Sequence, residues 1–166
     1  MTTEPRPSSQ ADHADASAPS VLLVDDNLQN LELIEAYLED LAQDFGLELR
    51  RALNGEEALA AVAERRPELL VLDVMMPRMS GFQVCEALKG DDRTREIPVV
   101  VVTALNEVGD VERALEAGAD DFLTKPVNRL ELTTRVKSLL EVGRLRRRLG
   151  DAVREIDRLR DSGAGG

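Results

Sequence analysis

Strand-like and helix-like segments alternate along most of this chain, and this alternation restricts its fold more than any other feature. Short apolar or alternating runs predict strands at 21–24, 47–52, 69–72, 99–102 and 121–124. Apolar residues spaced three and four apart predict a helix after each strand, and the last helix runs from about 128 beyond 140. Five strands and five helices in alternation predict a parallel sheet with helices packed on both faces.

Polar side chains stand at the ends of four predicted strands. Asp25 and Asp26 follow the first strand, and Asp73 follows the third. Thr103 follows the fourth strand, and Lys125 comes directly after the fifth. Each of these residues alone has a plainer interpretation, such as a helix cap, a loop residue or a solvated lysine. Because ligands bind at the carboxyl ends of strands in such sheets, their coincidence predicts one shared site.

Three carboxylates in one site repel each other unless a cation neutralises them. Oxygen ligands of this kind suit Mg²⁺, which binds one or two carboxylates together with phosphate oxygens. The only histidine, His13, falls in a segment predicted to be disordered, and the only cysteine, Cys85, is predicted to pack on a helix face. The sequence therefore predicts a magnesium site and gives no indication of zinc or copper.

The same residues supply the groups that phosphoryl transfer needs. A carboxylate such as Asp73 acts as a nucleophile toward phosphorus and forms an acyl phosphate. The reaction depends mainly on alignment and on neutralising the phosphoryl oxygens. A metal ion, the Lys125 ammonium and the Thr103 hydroxyl each take one of those oxygens.

Six motifs that contain these residues resemble the receiver domains of bacterial two-component response regulators. In chain order they are VDDN at 24–27, LDVMMP at 72–77, SGF at 80–82, VTA at 102–104, AGADDF at 117–122 and LTKP at 123–126. The resemblance extends from about 21 to 140. It implies a flavodoxin-like (βα)5 fold, a doubly wound parallel sheet with the strand order 2-1-3-4-5.

The resemblance also implies roles for individual residues. Asp73 is then the phosphoacceptor, and Mg²⁺ is bound by Asp26, by Asp25 largely through water and by Asp73. The backbone carbonyl of Met75 is a further ligand of the metal.

Two residues form a conformational switch in such proteins, and here they are Thr103 and Phe122. The hydroxyl moves toward the phosphoryl group, and the aromatic ring moves inward behind it. Phe122 stands where a tyrosine is often found. The resemblance further implies a cis peptide bond between Lys125 and Pro126.

The chain divides into four predicted segments. Residues 1–20 form a disordered tail, 21–141 the receiver domain, 142–160 a helical extension and 161–166 a second disordered tail. The extension carries apolar residues in heptad spacing at positions 142, 145, 149, 152, 156 and 159. This spacing predicts a coiled coil that joins two parallel chains or leads to another segment, whereas Gly143 and Gly150 favour a frayed amphipathic tail.

A signalling switch is the function that the sequence favours, in a protein without a DNA-binding output domain in this chain. We expect a sensor histidine kinase to donate the phosphoryl group, and we expect a homodimer and an unknown downstream protein or output domain as partners. The net charge of −11 argues against binding to nucleic acid. The absence of a signal peptide and of an apolar run of membrane-spanning length predicts a cytoplasmic protein.

Two other functions remain open at this point. A phosphatase of the haloacid dehalogenase type also uses a nucleophilic aspartate, a hydroxyl, a lysine and Mg²⁺. Such enzymes usually carry a second acid two residues after the nucleophile, where this chain has Met75. The other alternative is a dimerisation scaffold that is independent of phosphorylation, and the complete set of site residues argues against it. By this interpretation the chain is not an enzyme, and it catalyses only its own phosphorylation and dephosphorylation.

Overall fold

The structure, a computed structural model, describes residues 18–104 and 108–165 of the chain. Most of the predicted N-terminal tail, including His13, lies outside the described residues. Strands and helices alternate in the predicted order. They are β1 (Ser20–Val24), α1 (Leu28–Phe45), β2 (Glu48–Ala52), α2 (Gly55–Glu64), β3 (Leu69–Asp73), α3 (Gly81–Lys89), β4 (Val99–Thr103), α4 (Val108–Glu116), β5 (Asp121–Thr124) and α5 (Arg129–Gly163).

All strand pairs in the sheet are parallel, and the strand order is β2-β1-β3-β4-β5. The predicted flavodoxin-like fold is therefore confirmed. The strands β1, β3 and β4 are buried at every residue because helices cover both faces, which explains their continuous apolar runs. The strands wind outward from β1 in both directions, so the topological switch point lies between β1 and β3.

Two apolar clusters hold the helices against the sheet. Successive strand residues point to opposite faces, so each buried strand contributes to both clusters. Leu22 and Leu72 lie in the cluster beneath α2 and α3, whereas Leu23 and Val71 lie in the cluster beneath α1 and α5. Each fully buried leucine or valine stabilises the fold by about 1.5–3 kcal/mol relative to an exposed one. This packing fixes the carboxyl ends of the strands relative to one another.

The last helix, α5, has two parts with different surroundings. Its first part packs against the sheet through Leu132, Val136 and Leu140, which are buried. Its second part leaves the sheet, and the helix continues to Gly163, beyond the predicted boundary at 160. Within the described residues, no helix combines the length and the apolar character that crossing a membrane requires.

Candidate functional site

The predicted site residues meet at the carboxyl edge of the sheet. Lys125 follows β5, and its Nζ lies 3.0 Å from Oδ1 of Asp73 and 3.7 Å from Oδ2 of Asp25. One carboxylate oxygen from each of Asp25, Asp26 and Asp73 lies within 4.8 Å of the other two. Thr103, the last residue of β4, directly follows Val102, which is paired with Asp73 across the sheet. The structure therefore brings together the side chains of Asp25, Asp26, Asp73 and Lys125, and it places Thr103 at the same edge of the sheet.

The two central carboxylates are buried, whereas Asp26 is exposed. Asp25 and Asp73 keep only 1% and 3% of their accessible surface. Asp25 Oδ1 accepts a hydrogen bond of 2.9 Å from the backbone N–H of Asn27. Asp25 Oδ2 and Asp73 Oδ1 accept no hydrogen bond of good geometry from any residue in the described ranges, and the Lys125 ammonium is the positive charge that lies beside them. Each buried acceptor without a hydrogen bond costs about 1–3 kcal/mol.

Burial and neighbouring charges shift the pKa values of Asp73 and Lys125. Burial is the main cause that raises the pKa of Asp73, and the charges of Asp25 and Asp26 raise it further. The close contact with the Lys125 ammonium and its charge act in the opposite direction without cancelling that rise. For Lys125, burial lowers the pKa, but contact with Asp73 and Asp25 outweighs burial and the net pKa is raised. The lysine therefore stays charged, while Asp73 binds a proton more readily than an exposed aspartate does.

These residues fit a hard divalent cation. Three carboxylate oxygens that converge at one exposed edge match the ligands that Mg²⁺ prefers. The two buried oxygens without hydrogen bonds are the atoms that a cation would satisfy. Asp26 is exposed, so a metal at this position would keep contact with solvent and retain several waters, as Mg²⁺ usually does.

Backbone contacts fix Lys125 and Thr103 relative to each other. The N–H of Lys125 donates a hydrogen bond of 2.8 Å to the carbonyl of Thr103. The Lys125–Pro126 peptide bond is cis. The Thr103 side chain is buried, with 3% of its surface accessible. Phe122 is half-buried on β5, opposite Val101, and packs against the apolar cluster beneath α2 and α3.

The loop after Asp73 carries Met75, whose side chain is exposed. This loop folds back because the N–H of Gly81 donates a hydrogen bond of 3.0 Å to the carbonyl of Val74. Arg78 adopts a left-handed backbone conformation with φ of 67° in the same loop. Ser80 then caps α3 by accepting a hydrogen bond from the N–H of Gln83.

Gly81 is a site residue that the sequence analysis did not single out. A Cβ atom at this position would lie 2.2 Å from the carbonyl oxygen of Asp73, which is far shorter than any real contact. Glycine is therefore required for α3 to begin directly against the backbone of Asp73. The sequence signal for this residue was the motif of serine, glycine and an apolar residue at 80–82. In this motif the glycine both begins the helix and allows the close approach to Asp73.

Comparison with known proteins shows the family of the domain that carries this site. The family model for the response regulator receiver domain matches residues 21–137. The chain therefore belongs to the response regulator receiver domain family. Receiver domains are regulators rather than enzymes that turn over free substrates, and they typically bind Mg²⁺ in an acidic pocket such as the one described above.

Curated relatives include regulators much longer than the matched region and regulators of about its length. The response regulator PleD of Caulobacter vibrioides is 49% identical over 119 residues, which are 72% of this chain and 25% of PleD. The polar-differentiation response regulator DivK of Brucella anthropi is 39% identical over 121 residues, which are 73% of this chain and 95% of DivK. The chain thus spans about a quarter of PleD but nearly all of DivK.

Solved structures with the same fold include two receiver proteins. The receiver domain of a signal transduction histidine kinase from Syntrophus aciditrophicus has a TM-score of 0.67 and 40% identity, and the match covers 75% of this chain and 91% of that one. The chemotaxis protein CheY4 of Vibrio cholerae has a TM-score of 0.65 and 28% identity, and the match covers 74% of this chain and 99% of CheY4.

Proposed function

We propose that this receiver accepts a phosphoryl group on Asp73 from the phosphohistidine of a sensor histidine kinase. A carboxylate oxygen of Asp73 forms a bond to phosphorus as the bond from phosphorus to the histidine nitrogen breaks. The histidine leaves with the electron pair of that bond, and Asp73 becomes an acyl phosphate. Transfer of the phosphoryl group from Asp73 to water breaks the bond between phosphorus and the carboxylate oxygen, and it returns the free carboxylate and inorganic phosphate.

The observation that carries this proposal is the position of the Lys125 ammonium beside two buried carboxylates. Lys125 Nζ is 3.0 Å from the proposed nucleophile and 3.7 Å from Asp25. A phosphoryl group on Asp73 brings negative oxygens to the same place, where the ammonium can neutralise one of them. In an ordinary surface ion pair, the carboxylate is exposed to water and needs no second cation. Here both carboxylates are buried, and one lysine is too little positive charge for them.

Mg²⁺ is the cofactor that we propose, held by Asp25, Asp26, Asp73 and the backbone carbonyl of Met75. When bound, the ion supplies positive charge that neutralises phosphoryl oxygens. Lys125 and the Thr103 hydroxyl orient the remaining oxygens. These roles belong to the chain's own side chains, which the packing of β1, β3, β4 and β5 holds in place.

Phosphorylation then acts on the surface formed by α4, β5 and α5. Movement of the Thr103 hydroxyl toward the phosphoryl group leaves space into which Phe122 turns from its half-buried position. The phosphorylated protein then favours one of two conformations of this surface, and with it one mode of pairing or partner binding. The shift in population is limited by how much the phosphoryl group stabilises one conformation relative to the other. The protein acts in the cytoplasm, and its output is a separate downstream protein or a further domain.

Phosphorylation with acetyl phosphate tests the acceptor directly. The wild-type chain with Mg²⁺ gains the mass of one phosphoryl group, and Asp73→Asn gains none. Asp44→Asn serves as the matched control, because Asp44 is exposed on α1. Labelling of Asp73→Asn at the wild-type level would show that another residue is the acceptor.

The metal requirement is tested in the same assay. EDTA removes free Mg²⁺ and is expected to lower the rate by at least tenfold, and excess Mg²⁺ restores it. Asp26→Asn removes the one exposed carboxylate of the cluster, so a higher Mg²⁺ concentration is expected to reach half of the maximal rate. Unchanged Mg²⁺ dependence in Asp26→Asn would exclude this residue as a ligand.

A further inference from the structure

The apolar residues of α5 change sides where the helix leaves the receiver. Leu132, Val136 and Leu140 are buried against the sheet. From Val142 onward, apolar residues recur in heptad spacing and are exposed, with Leu145 at 62% and those at 142, 149, 156 and 159 between 43% and 67%. Ala152 is also exposed. We call the residues at 142, 145, 149, 152, 156 and 159 the seam. With heptad positions lettered a to g and residue 142 at position a, the seam residues occupy positions a and d.

Ion pairs at the exit from the receiver fix the direction in which the seam faces. Arg144 lies at position c and donates a hydrogen bond of 2.9 Å to the carbonyl of Phe45, and its guanidinium lies 5.0 Å from the Phe45 ring. Arg144 and Arg147, the latter at position f, lie 3.2 and 3.1 Å from Oε2 of Glu68. Positions c and f lie on the far side of a helix from a and d. The receiver of the same chain therefore lies on the opposite side of the helix from most of the seam. Val142, the first seam residue, borders the groove between the helix and the receiver, and the later seam residues do not line it.

A helix with these properties requires a partner. Isolated helices of this length are marginal in water, and most of their stability in proteins comes from packing of an apolar face. Gly143 and Gly150 each cost about 1 kcal/mol relative to alanine. Both glycines fall at position b, which faces solvent in a coiled coil, so they do not interrupt the seam.

Charges that flank the seam identify the partner as a second copy of this chain. In a parallel, in-register pair, each g residue meets the e residue five positions later on the other helix. Glu141 at g meets Arg146 at e, and Glu155 at g meets Arg160 at e. Both contacts are attractive, and symmetry doubles each of them. The remaining g residue, Arg148, meets the uncharged Val153, so no like charges face each other at these positions. Glu155 also lies 3.6 Å from Arg158 of its own helix, an exposed pair worth only about 0.3–0.5 kcal/mol.

We infer that residues 142–160 pair with the same residues of a second copy in a parallel, in-register coiled coil, so that α5 is a dimerisation element directed away from its own receiver. This inference goes beyond the proposed phosphorylation of Asp73 and does not depend on it. The two receivers of the dimer then lie at the same end of the coiled coil.

Charge reversal in the full chain tests the pairing and its register. Sedimentation equilibrium of the wild type is expected to give twice the chain mass. Glu155→Arg places like charges opposite each other twice per dimer, and it is expected to weaken association at least tenfold. The double variant E155R/R160E restores the attraction and the dimer. A wild-type monomer, or a double variant as weak as the single one, overturns the inference.

Disulfide formation tests the orientation independently. Leu159→Cys lies at position d and is expected to form a covalent dimer rapidly under mild oxidation. Asp157→Cys at the outward position b is the matched control and is expected not to cross-link. Native Cys85 is buried and does not interfere. In an antiparallel pair the two cysteines at 159 would lie about 25 Å apart, so absence of the covalent dimer overturns the parallel arrangement.

Phosphorylation of Asp73 in each variant separates the two proposals. Every extension variant is expected to accept phosphate from acetyl phosphate at the wild-type rate, because its substitutions lie outside the receiver. Loss of dimerisation with normal phosphorylation would then identify the extension alone as the dimerisation element. Normal dimerisation with no phosphorylation would refute only the proposed function.

Discussion

Replacing the proposed phosphoacceptor is expected to stabilise the fold. Asp73→Asn removes a negative charge from a buried position and keeps nearly the same shape. The charge is unfavourable where it stands, because burial and the nearby carboxylates raise the pKa of Asp73 above its usual 3.8. In the absence of a metal ion, the neutral side chain should therefore raise the free energy of unfolding at neutral pH.

The size of the effect follows from the distances in the site. With an effective dielectric constant of about 20, the attraction of Lys125 at 3.0 Å is worth about 5.5 kcal/mol. Repulsion from Asp25 at 4.8 Å or less offsets at least about 3.5 kcal/mol of it. Burying a carboxylate costs several kcal/mol, so the balance favours the neutral variant by about 1–3 kcal/mol. For a chain of this size, that is a rise in melting temperature of about 3–9 °C.

The assay is thermal unfolding in EDTA over a range of pH. The folded state binds the Asp73 proton more tightly than the unfolded state, so protonation stabilises the wild type as the pH falls through the raised pKa. The difference between wild type and Asp73→Asn is therefore largest at neutral pH and disappears below about 3.8. Mg²⁺ should raise the melting temperature of the wild type, and this rise should be smaller in the variant.

A melting temperature of Asp73→Asn equal to or below that of the wild type at pH 7 in EDTA would refute this reasoning. It would mean that the attraction of Lys125 exceeds the repulsion and the burial cost combined. Asp44→Asn is the control for a change of net charge alone, since Asp44 is exposed on α1. Its effect is expected to remain within about 0.5 kcal/mol.

Two further predictions concern Gly81 and Cys85. Gly81→Ala is expected to cost about 1–3 kcal/mol in urea unfolding and to slow phosphorylation, because its Cβ would lie 2.2 Å from the Asp73 carbonyl oxygen. Gly143→Ala, whose Cβ meets nothing within 4 Å, is the control and should cause no loss. Burial raises the pKa of Cys85 from 9.0 to about 11, so iodoacetamide at pH 8 should label the folded protein far more slowly than the unfolded protein. Fast labelling of the folded chain would contradict the buried position of this thiol.

The sequence predicted the order and type of every strand and helix because their periods differ. Runs such as 69–72 are apolar throughout because helices cover both sheet faces, whereas the alternating segment 47–52 predicted an edge strand, which β2 is. The predicted boundaries of the helices and strands differ from the observed ones by a few residues. The predicted fourth helix began at Val111, but α4 begins one turn earlier, at Val108.

The sequence predicted which residues form the site, but it did not predict which of their atoms lack hydrogen bonds. Strand ends alone indicated that Asp25, Asp73 and Lys125 would meet. No periodicity reveals that two carboxylate oxygens stay without hydrogen bonds, since that depends on the arrangement of all neighbouring atoms. The same limit applies to α5, where heptad spacing was visible in the sequence. The side of the helix that meets the receiver appeared only with the contacts of Arg144.

The positions of Asp73 and Glu68 explain why phosphorylation and pairing should be separable. Asp73 ends β3 at the carboxyl edge of the sheet, and Glu68 precedes β3 at the opposite edge. Five strand residues at about 3.3 Å each place these two edges roughly 16 Å apart. Because screening at physiological salt is strong beyond about 8 Å, charge changes in the exposed extension should barely alter the electrostatics of the acidic site. A signal between the two ends must therefore travel through movement of α5 as a packed element, since direct charge interaction is too weak to carry it.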